Sequence, residues 1–354
     1  KKRNLVLLLF QIIMMLNIYS QHLRNSLKIS QVKEKNRILN NLQNDKTRSV
    51  LFSESFGGSE NQLRLMFKYI PDEYFEDENL ILNNSDPNLL DPKRKNILWM
   101  QHFVNQKEAQ NLSSKEYLNR LDYIIFNSNW NFEKFQYQFK IPENKSIVIK
   151  NAIEKIEIKE KKKDRINLVY HSTPWRGLKV LIEIFKKNKF QNVELHVCSS
   201  TEIYGSKFKS NNEKKFSSIF EDCKKVNNIV FHSYLENNKV IELLKDMHIF
   251  SYPCIWHETS CIASIEAMAA GCEVVTTNLG ALFETCSPFA TFVGMDTNMN
   301  NLEKKYTETL KDKIENFWSA ENQKKLKLQA DTINYLYSWD FRKKEWTAFL
   351  NKLK

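Results

Sequence analysis

Residues 252–271 read YPCIWHETSCIASIEAMAAG, and this stretch decides the fold. The apolar run 249–252 predicts a buried strand, and residues 262–270, ended by a glycine, predict a helix. Between them lies a loop in which Thr259 or Ser260 can cap the helix. A strand, a loop and a helix in this order are the unit of a parallel α/β sheet, in which ligands bind beyond the carboxyl ends of the strands.

The start of this helix predicts an anion site. The first-turn amides near Ser260, Cys261 and Ile262 have no acceptor within the helix, and such a helix end attracts phosphate. Glu258 precedes the helix and Glu266 follows eight residues later, about two turns on, so both carboxylates can edge one pocket. A carboxylate beside a phosphate site repels the phosphate, so these two carboxylates are expected to bind uncharged groups of the ligand. Sugar and ribose hydroxyls are the natural partners of these carboxylates.

The same alternation of short apolar runs and amphipathic segments extends from residue 48 onward and predicts an α/β fold with two doubly wound parallel sheets. Strands are predicted at 49–53, 79–82, 96–100, 123–126 and 147–149, and then at 166–170, 193–198, 229–232, 249–252 and 273–276. The charged run 154–165 is interpreted as a linker, and residues from 302 onward as two or three amphipathic helices. Two such domains would hold a ligand in the cleft between them.

Length, charge and missing motifs argue against several classes of protein. The chain of 354 residues is long enough for two domains, and 53 Lys and Arg against 42 Asp and Glu leave a net charge of +11, which favours phosphate-bearing ligands or an anionic membrane surface. The absence of G-x-G-x-x-G and of G-x-x-x-x-G-K-[ST] argues against a classical dehydrogenase or ATPase. The six cysteines form no C-x-x-C pair and are interpreted as reduced core thiols of a cytosolic protein. Neither H-E-x-x-H nor D-x-D occurs, so no metal site is predicted.

Residues 1–47 form a separate segment. A basic start is followed by a run from residue 5 to 19 that is almost wholly apolar and is too short for a comfortable membrane span of about 20 residues. It is interpreted either as an anchor that lies at a membrane surface or as a preamble packed on the first domain. The predicted location is therefore cytoplasmic, with peripheral membrane attachment under the first interpretation.

The E-x7-E spacing of Glu258 and Glu266, with the following AMAAG and the GALFET of residues 280–285, resembles the retaining glycosyltransferases of family 4. These are enzymes of the glycosyl transferases group 1 with the GT-B fold of two Rossmann-like domains. Further segments match the same family at 57–60 (first loop), 123–128 (strand and turn), 147–151 (last strand of the first domain), 176–178 (cationic element) and 337–339 (terminal helix).

The resemblance implies a catalytic set and a donor-binding set. Glu258 would bind the hydroxyls of the donor sugar, Arg176 would grip the departing diphosphate, and His102 would face the transferred sugar and the acceptor. The donor-binding set is Glu266 on the ribose, the amides of Ser260, Cys261 and Ile262, and His171, Ser172, Gly57, Gly58 and Glu284. Glu284 is interpreted either as a contact to the nucleotide or as the cap of a helix start. His171 stands where the family usually has an arginine, so one of two expected cations is absent or only conditionally charged.

The function implied is a retaining, metal-independent glycosyltransferase of hexosyltransferase type in polysaccharide or glycoconjugate biosynthesis. A nucleotide sugar is its co-substrate, no cofactor is needed, and the acceptor is a glycan, a lipid-linked sugar or another hydroxyl. Domain boundaries are predicted at 48–153 for the acceptor domain, 154–336 for the donor domain and 337–354 for a helix that returns to the first domain.

Two other classes remain open from the residues alone. A sugar-nucleotide-binding protein without transfer would share Glu266 and the helix end. A nucleic-acid-directed protein, such as a glycosyltransferase acting on modified DNA bases, would fit the positive charge. The basic residues, however, are dispersed in helices of mixed sign, and no motif that binds nucleic acid occurs.

Overall fold

A computed structural model describes residues 54–354. The predicted strand at 49–53 and the segment 1–47 lie outside the described residues. Within residues 54–354, no helix is both long and apolar enough to cross a bilayer.

The first domain is built on a sheet of four parallel strands in the order β1-β2-β3-β4. The strands are β1 (Glu78–Leu82), β2 (Lys95–Met100), β3 (Tyr123–Phe126) and β4 (Ser146–Val148). Helix α1 (Gly58–Tyr69) precedes β1, α2 (Lys115–Arg120) lies between β2 and β3, and α3 (Asn129–Phe139) lies between β3 and β4. Ser128 caps α3, since its hydroxyl accepts a hydrogen bond from the Asn131 amide at 3.0 Å.

The second domain holds a parallel sheet of six strands in the order β10-β9-β8-β5-β6-β7. The strands are β5 (Ile166–His171), β6 (Val193–Cys198), β7 (Ile229–Ser233), β8 (Ile249–Tyr252), β9 (Glu273–Thr277) and β10 (Thr291–Val293). The helices between them are α4 (Leu178–Lys187), α5 (Ser206–Asn212), α6 (Ser217–Lys225), α7 (Asn237–Leu244), α8 (Ile262–Ala269) and α9 (Leu282–Cys286). All six cysteines lie in this domain, buried and free of disulfides.

Three helices end the chain, α10 (Met299–Glu315), α11 (Ala320–Leu336) and α12 (Trp339–Asn351). The last one returns to the first domain, where the Trp346 ring meets that of Trp99 on β2 edge to face at 4.9 Å. At the crossing, Ile153 donates its amide to Tyr337 O at 2.8 Å and accepts one from Trp339 at 3.1 Å. The predicted fold, two Rossmann-like parallel-sheet domains with a helix that crosses back, is confirmed.

Strand β10 and helices α5 and α6 were not predicted. Helix α5 buries none of its residues, so its sequence, SKFKSNN, has no apolar period to detect. Helix α6 buries only Phe220 and Cys223, and β10 has three residues with a single buried one. With so few buried positions, none of the three elements has an apolar period that the sequence would reveal.

Candidate functional site

A cavity of about 300 Å³ opens between the two domains at the carboxyl ends of their strands. Gln101 follows β2, Asn127 follows β3, His171 ends β5 and Ser233 ends β7, and all four line the cavity. The site is therefore shared by both sheets, as the sequence predicts for a ligand cleft.

Helix α8 begins at this cavity, but the predicted cap is wrong. Its N-cap is Cys261 in a left-handed conformation (φ +80°), and no side chain caps the helix. Thr259 instead donates its hydroxyl to Gln101 O at 2.7 Å and accepts the amide of Asn127 at 3.1 Å, both in the first domain. With the hydroxyl used between the domains, the first amides of α8 stay without a side-chain acceptor. Ser260, Cys261 and Ile262 all line the cavity.

Arg176 and Glu258 form an ion pair on the cavity wall. The Arg176 Nη1 lies 2.8 Å from Glu258 Oε1, and the Tyr252 hydroxyl donates to the same oxygen at 2.6 Å. The Glu258 side chain is 6% exposed and that of Arg176 26% exposed. Burial opposes the charge of the guanidinium, but the nearby Glu258 carboxylate outweighs it and holds the pKa of Arg176 well above its ordinary value. The guanidinium thus stays charged and still reaches the cavity.

Glu266 lies about one turn into α8 and lines the same cavity. Burial raises its pKa to about 7, although the Asn237 side-chain amide donates to Oε1 at 2.9 Å. The structure therefore brings Glu258 and Glu266 to one cavity, and near neutral pH Glu266 exists in both protonation states.

The loop after β5 places His171 and Ser172 on the cavity wall. Burial lowers the pKa of His171 to about 4, so its ring is neutral at physiological pH. The Ser172 hydroxyl is 3.4 Å from that of Tyr252. His171 therefore supplies no second cation, and Arg176 is the one Lys or Arg among the cavity-lining residues of 54–354.

His102 lies just beyond β2 and faces the cavity from the first domain. Burial lowers its pKa, so the ring is neutral. Its Nδ1 is buried and has no hydrogen-bond partner among residues 54–354. A neutral imidazole with a spare nitrogen is suited to hydrogen-bond a sugar hydroxyl.

The two glycines at the start of α1 differ in position. Gly58 lines the cavity, and a Cβ added to it would lie 3.2 Å from Ile262 Cδ1. Gly57 is the N-cap of α1, and an added Cβ would lie 2.8 Å from Tyr204 Cε1 of the second domain. Gly57 thus allows close approach of the domains beside the cavity and does not itself line it.

Glu284 does not line the cavity, so the structure gives no support for its predicted contact with the donor. Its carboxylate accepts the backbone amides of Asn129 (3.1 Å) and Trp130 (2.9 Å) at the start of α3, and Lys150 Nζ lies at 3.1 Å. Burial alone would raise the pKa of Glu284, but these amides and Lys150 hold it below its ordinary value. Glu284 binds the two domains together because the open helix start attracts its negative charge.

Several cavity residues were not predicted. They follow the first-domain strands or precede Glu258, and they are Gln101, Phe103, Gln106, Asn127, Asn151, Trp256 and His257. The rule that strand ends line the crevice of a doubly wound sheet would have selected most of them. They were overlooked because single amides and aromatic rings carry no motif spacing.

Gly280 positions Glu258, and its replacement by alanine is the first test of the site. Gly280 has φ +69°, and a Cβ would lie 2.4 Å from Glu258 O and 2.7 Å from Glu258 N. We expect Gly280→Ala to lower the free energy of unfolding by about 2–4 kcal/mol, because a left-handed alanine and a backbone clash are combined.

The matched control is Gly294→Ala, whose added Cβ has no atom within 4 Å. It should change the free energy of unfolding by less than about 0.5 kcal/mol. Urea denaturation measures both variants. Equal stability of the two would show that Gly280 does not hold Glu258 in place.

Two facing parallel-sheet domains with a cavity at their strand ends are the arrangement of the GT-B fold. A glycosyltransferase from Rickettsia africae ESF-5 has the same fold, with a TM-score of 0.63 at 13% identity over 82% of this chain and 80% of that one. Sucrose-phosphate synthase from Thermosynechococcus elongatus gives 0.58 at 14% identity over 82% and 79%. Anabaena HepE in complex with UDP-glucose gives 0.58 at 13% identity over 77% and 79%.

Residues 149–331, more than half of the chain, match the family model described as glycosyl transferases group 1. The chain belongs to this family, and its family and fold make it a glycosyltransferase. No curated protein sequence matches it significantly.

Proposed function

We propose that this protein transfers a hexosyl group from a nucleoside-diphosphate sugar to an acceptor hydroxyl, with retention of anomeric configuration and without a metal ion, as in family 4 with its E-x7-E motif. The observation that carries the proposal is that Arg176, Glu258 and the open start of α8 share one cavity. A structure of the same fold, Anabaena HepE, contains UDP-glucose, which supports a nucleotide sugar as donor.

The leaving group is the first element of the mechanism. As the glycosidic bond lengthens, negative charge grows on the β-phosphate, and fixed donors placed there lower the barrier. Arg176 has five N–H donors, and Glu258 engages only one of its nitrogens, Nη1. The other donors and the first amides of α8 are free to hold the diphosphate.

The two carboxylates act on uncharged groups. Glu258 already accepts Arg176 and Tyr252 on Oε1, so its role is to hold the guanidinium and to accept sugar hydroxyls on Oε2. Glu266 accepts the ribose hydroxyls beside Asn237. The remaining donor-binding residues, Ser172 and His171, contribute a hydroxyl and a neutral ring.

Retention follows if the acceptor attacks on the face from which the diphosphate leaves. The sugar becomes oxocarbenium-like, the acceptor hydroxyl forms the new bond to the anomeric carbon, and its proton passes to the departing phosphate oxygen. No protein nucleophile takes part, so the residues of the cavity stabilise charge and position the reactants.

The proposal is tested with a panel of UDP-, GDP- and ADP-sugars. We expect one of them to raise the melting temperature and, with an acceptor, to release the nucleoside diphosphate equally well in EDTA. Proton NMR of the product should show the anomer of the donor. An inverted product would refute retention, and a loss of activity in EDTA that Mn²⁺ restores would refute metal independence. Donor binding without any transfer would instead favour a binding protein.

His102 gives a separate prediction. We expect His102→Ala to lower kcat for transfer about 10- to 100-fold while the affinity for UDP stays unchanged, because the lost hydrogen bond serves the sugar and not the nucleotide. Steady-state kinetics and calorimetry with UDP measure the two quantities. The control is His232→Ala, since His232 pairs with His196 at 2.9 Å and does not line the cavity. Equal kcat values for the two variants would exclude the role of His102.

A further inference from the structure

The first-domain wall of the cavity carries hydrogen-bonding groups that the donor site does not use. Gln101, Gln106 and Asn151 lie beyond the ends of β2 and β4 and line the cavity together with His102. Each has a buried polar atom without a partner among residues 54–354, namely Gln101 Nε2, Gln106 Oε1, Asn151 Oδ1 and His102 Nδ1. An unpaired buried polar group costs about 1–3 kcal/mol, so this wall is prepared for a ligand that pairs with it.

The chemistry of these groups indicates what the ligand offers. A carboxamide both donates and accepts, and its terminal torsion turns at little cost. Three carboxamides and a neutral imidazole therefore match a ligand whose groups also donate and accept, which is the property of hydroxyls. A phosphate or carboxylate accepts only, so it can pair with the NH2 groups of these carboxamides but with none of their oxygens.

Aromatic rings flank the same wall at the junction of the domains. The Phe103 ring stacks on His257 at 5.0 Å with an interplanar angle of 8°, and on Trp130 at 5.4 Å and 21°. Phe56 and Trp256 also line the cavity and are 49% and 38% exposed. Flat apolar rings beside hydrogen-bonding groups suit the face of a sugar ring, which carries C–H groups between its hydroxyls.

The charge of the wall disfavours an anionic acceptor. The cavity residues that the first domain contributes include Glu60 and no Lys or Arg within the described chain. Arg176 belongs to the second domain and is held by Glu258. An acceptor phosphate placed on the first-domain wall would meet the Glu60 carboxylate, which costs free energy. The Arg64 guanidinium, 4.5 Å from the centre of the Phe56 ring, is buried and does not line the cavity.

We propose that the wall formed by Gln101, Gln106, Asn151 and Phe103 is the acceptor subsite and that it binds a neutral sugar residue. This inference rests on the proposed function, since it names the acceptor class for the same cavity. The hydroxyl that attacks the donor belongs to this sugar and lies beside His102.

The test uses the full chain saturated with UDP and the methyl glycosides of glucose, galactose, mannose and N-acetylglucosamine as probes. Saturation-transfer NMR measures binding, and donor consumption measures transfer. We expect at least one glycoside to bind and to accept sugar, and to do so better than glucose 1-phosphate or vesicles that contain phosphatidylinositol. Preference for either anionic acceptor, or no glycoside binding while UDP binds, would overturn the acceptor assignment alone. Failure of every nucleotide to bind would overturn the proposed function.

Two variants with matched controls locate the subsite. Gln106→Leu and Phe103→Leu should each weaken glycoside binding roughly tenfold, whereas the thermal shift produced by UDP keeps its wild-type size. The controls are Gln138→Leu and Tyr137→Leu, at exposed positions of α3 outside the cavity lining. Glycoside binding that is equal in the variants and the controls would contradict the assignment.

Discussion

Replacing Arg176 by methionine is expected to lower kcat for sugar transfer about 100- to 1,000-fold. This is the usual cost of removing one preorganised donor from developing negative charge. Methionine keeps much of the side-chain length but neither charge nor donors, so the departing diphosphate loses its cation. Because Arg176 is the one Lys or Arg among the described cavity-lining residues, no neighbouring cation substitutes for it.

The same variant is also expected to lose stability, because Glu258, with a side chain only 6% exposed, is left without its cation. Removing one partner of a buried ion pair costs about 3–5 kcal/mol. The double variant Arg176→Met with Glu258→Gln removes both charges, and the amide oxygen introduced by the second substitution would still accept the Tyr252 hydroxyl. The double variant should regain most of the melting temperature that Arg176→Met loses, while its kcat for transfer stays at least as low as that of Arg176→Met.

The control is Arg94→Met at an exposed position of the first domain, which should match the wild type in stability and turnover. Differential scanning calorimetry and a nucleoside-diphosphate release assay give the two measurements. Wild-type turnover in Arg176→Met would exclude the cation from the mechanism. Recovery of turnover in the stable double variant would show that its role is to support the fold only.

Glu266→Gln is expected to stabilise the protein at high pH and to weaken nucleotide binding. Burial raises the pKa of Glu266 to about 7, whereas in the unfolded chain it lies near the ordinary 4.5. Between these two values the folded state binds the proton more than the unfolded state does. The contribution of Glu266 to stability is therefore fully present below about pH 4.5 and is lost as the pH rises through 7.

At pH 8 the buried carboxylate costs about 3 kcal/mol, from the shift multiplied by the free energy of one pKa unit. We expect the free energy of unfolding of Glu266→Gln to exceed that of the wild type by up to this amount at pH 8. At pH 4.5 the two should agree, since wild-type Glu266 is then neutral in the folded protein. The amide oxygen of the variant side chain would still accept the hydrogen bond from Asn237, so packing is unchanged.

Glu266→Gln should weaken the binding of UDP at pH 8, although it stabilises the fold there. A carboxylate accepts hydroxyls more strongly than an amide does, so UDP affinity at pH 8 should be roughly tenfold lower in Glu266→Gln than in the wild type. The second ionisation of the terminal phosphate of UDP, with a pKa of about 6, raises the affinity of both proteins, so from pH 6 to 8 the wild-type affinity should rise more steeply than that of the variant. Glu308→Gln, at an exposed position of α10, is the control. Equal slopes in the wild type and Glu266→Gln, or equal stability of the two at pH 8, would contradict the assigned ionisation of Glu266.

Part of this site could be read from local sequence because its geometry is local. Glu258, the start of α8 and Glu266 lie within nine residues, and helical spacing alone predicts that both carboxylates face one pocket. Both do line the same cavity in the structure. Their roles on sugar and ribose stay predictions until a donor complex is measured.

Other site features depend on contacts between distant segments. Thr259 was predicted to cap α8, but its hydroxyl joins Gln101 and Asn127, more than a hundred residues away. Glu284 was predicted to contact the nucleotide or to cap a helix start, and its carboxylate caps the start of α3 in the other domain. Both contacts form because the second domain packs against helix and strand ends of the first, and local sequence does not specify which ends meet.

By itself, the sequence determined the α/β class and most of the strands, because apolar periodicity and turn residues act over a few positions. The return of the last helix to the first domain was expected from the resemblance to family 4 and not from periodicity. Only the tertiary structure decided the charge of His171, the partners of Arg176 and the identity of the first-domain wall. Burial and hydrogen-bond pairing set these properties, and both depend on which segments meet across the two domains.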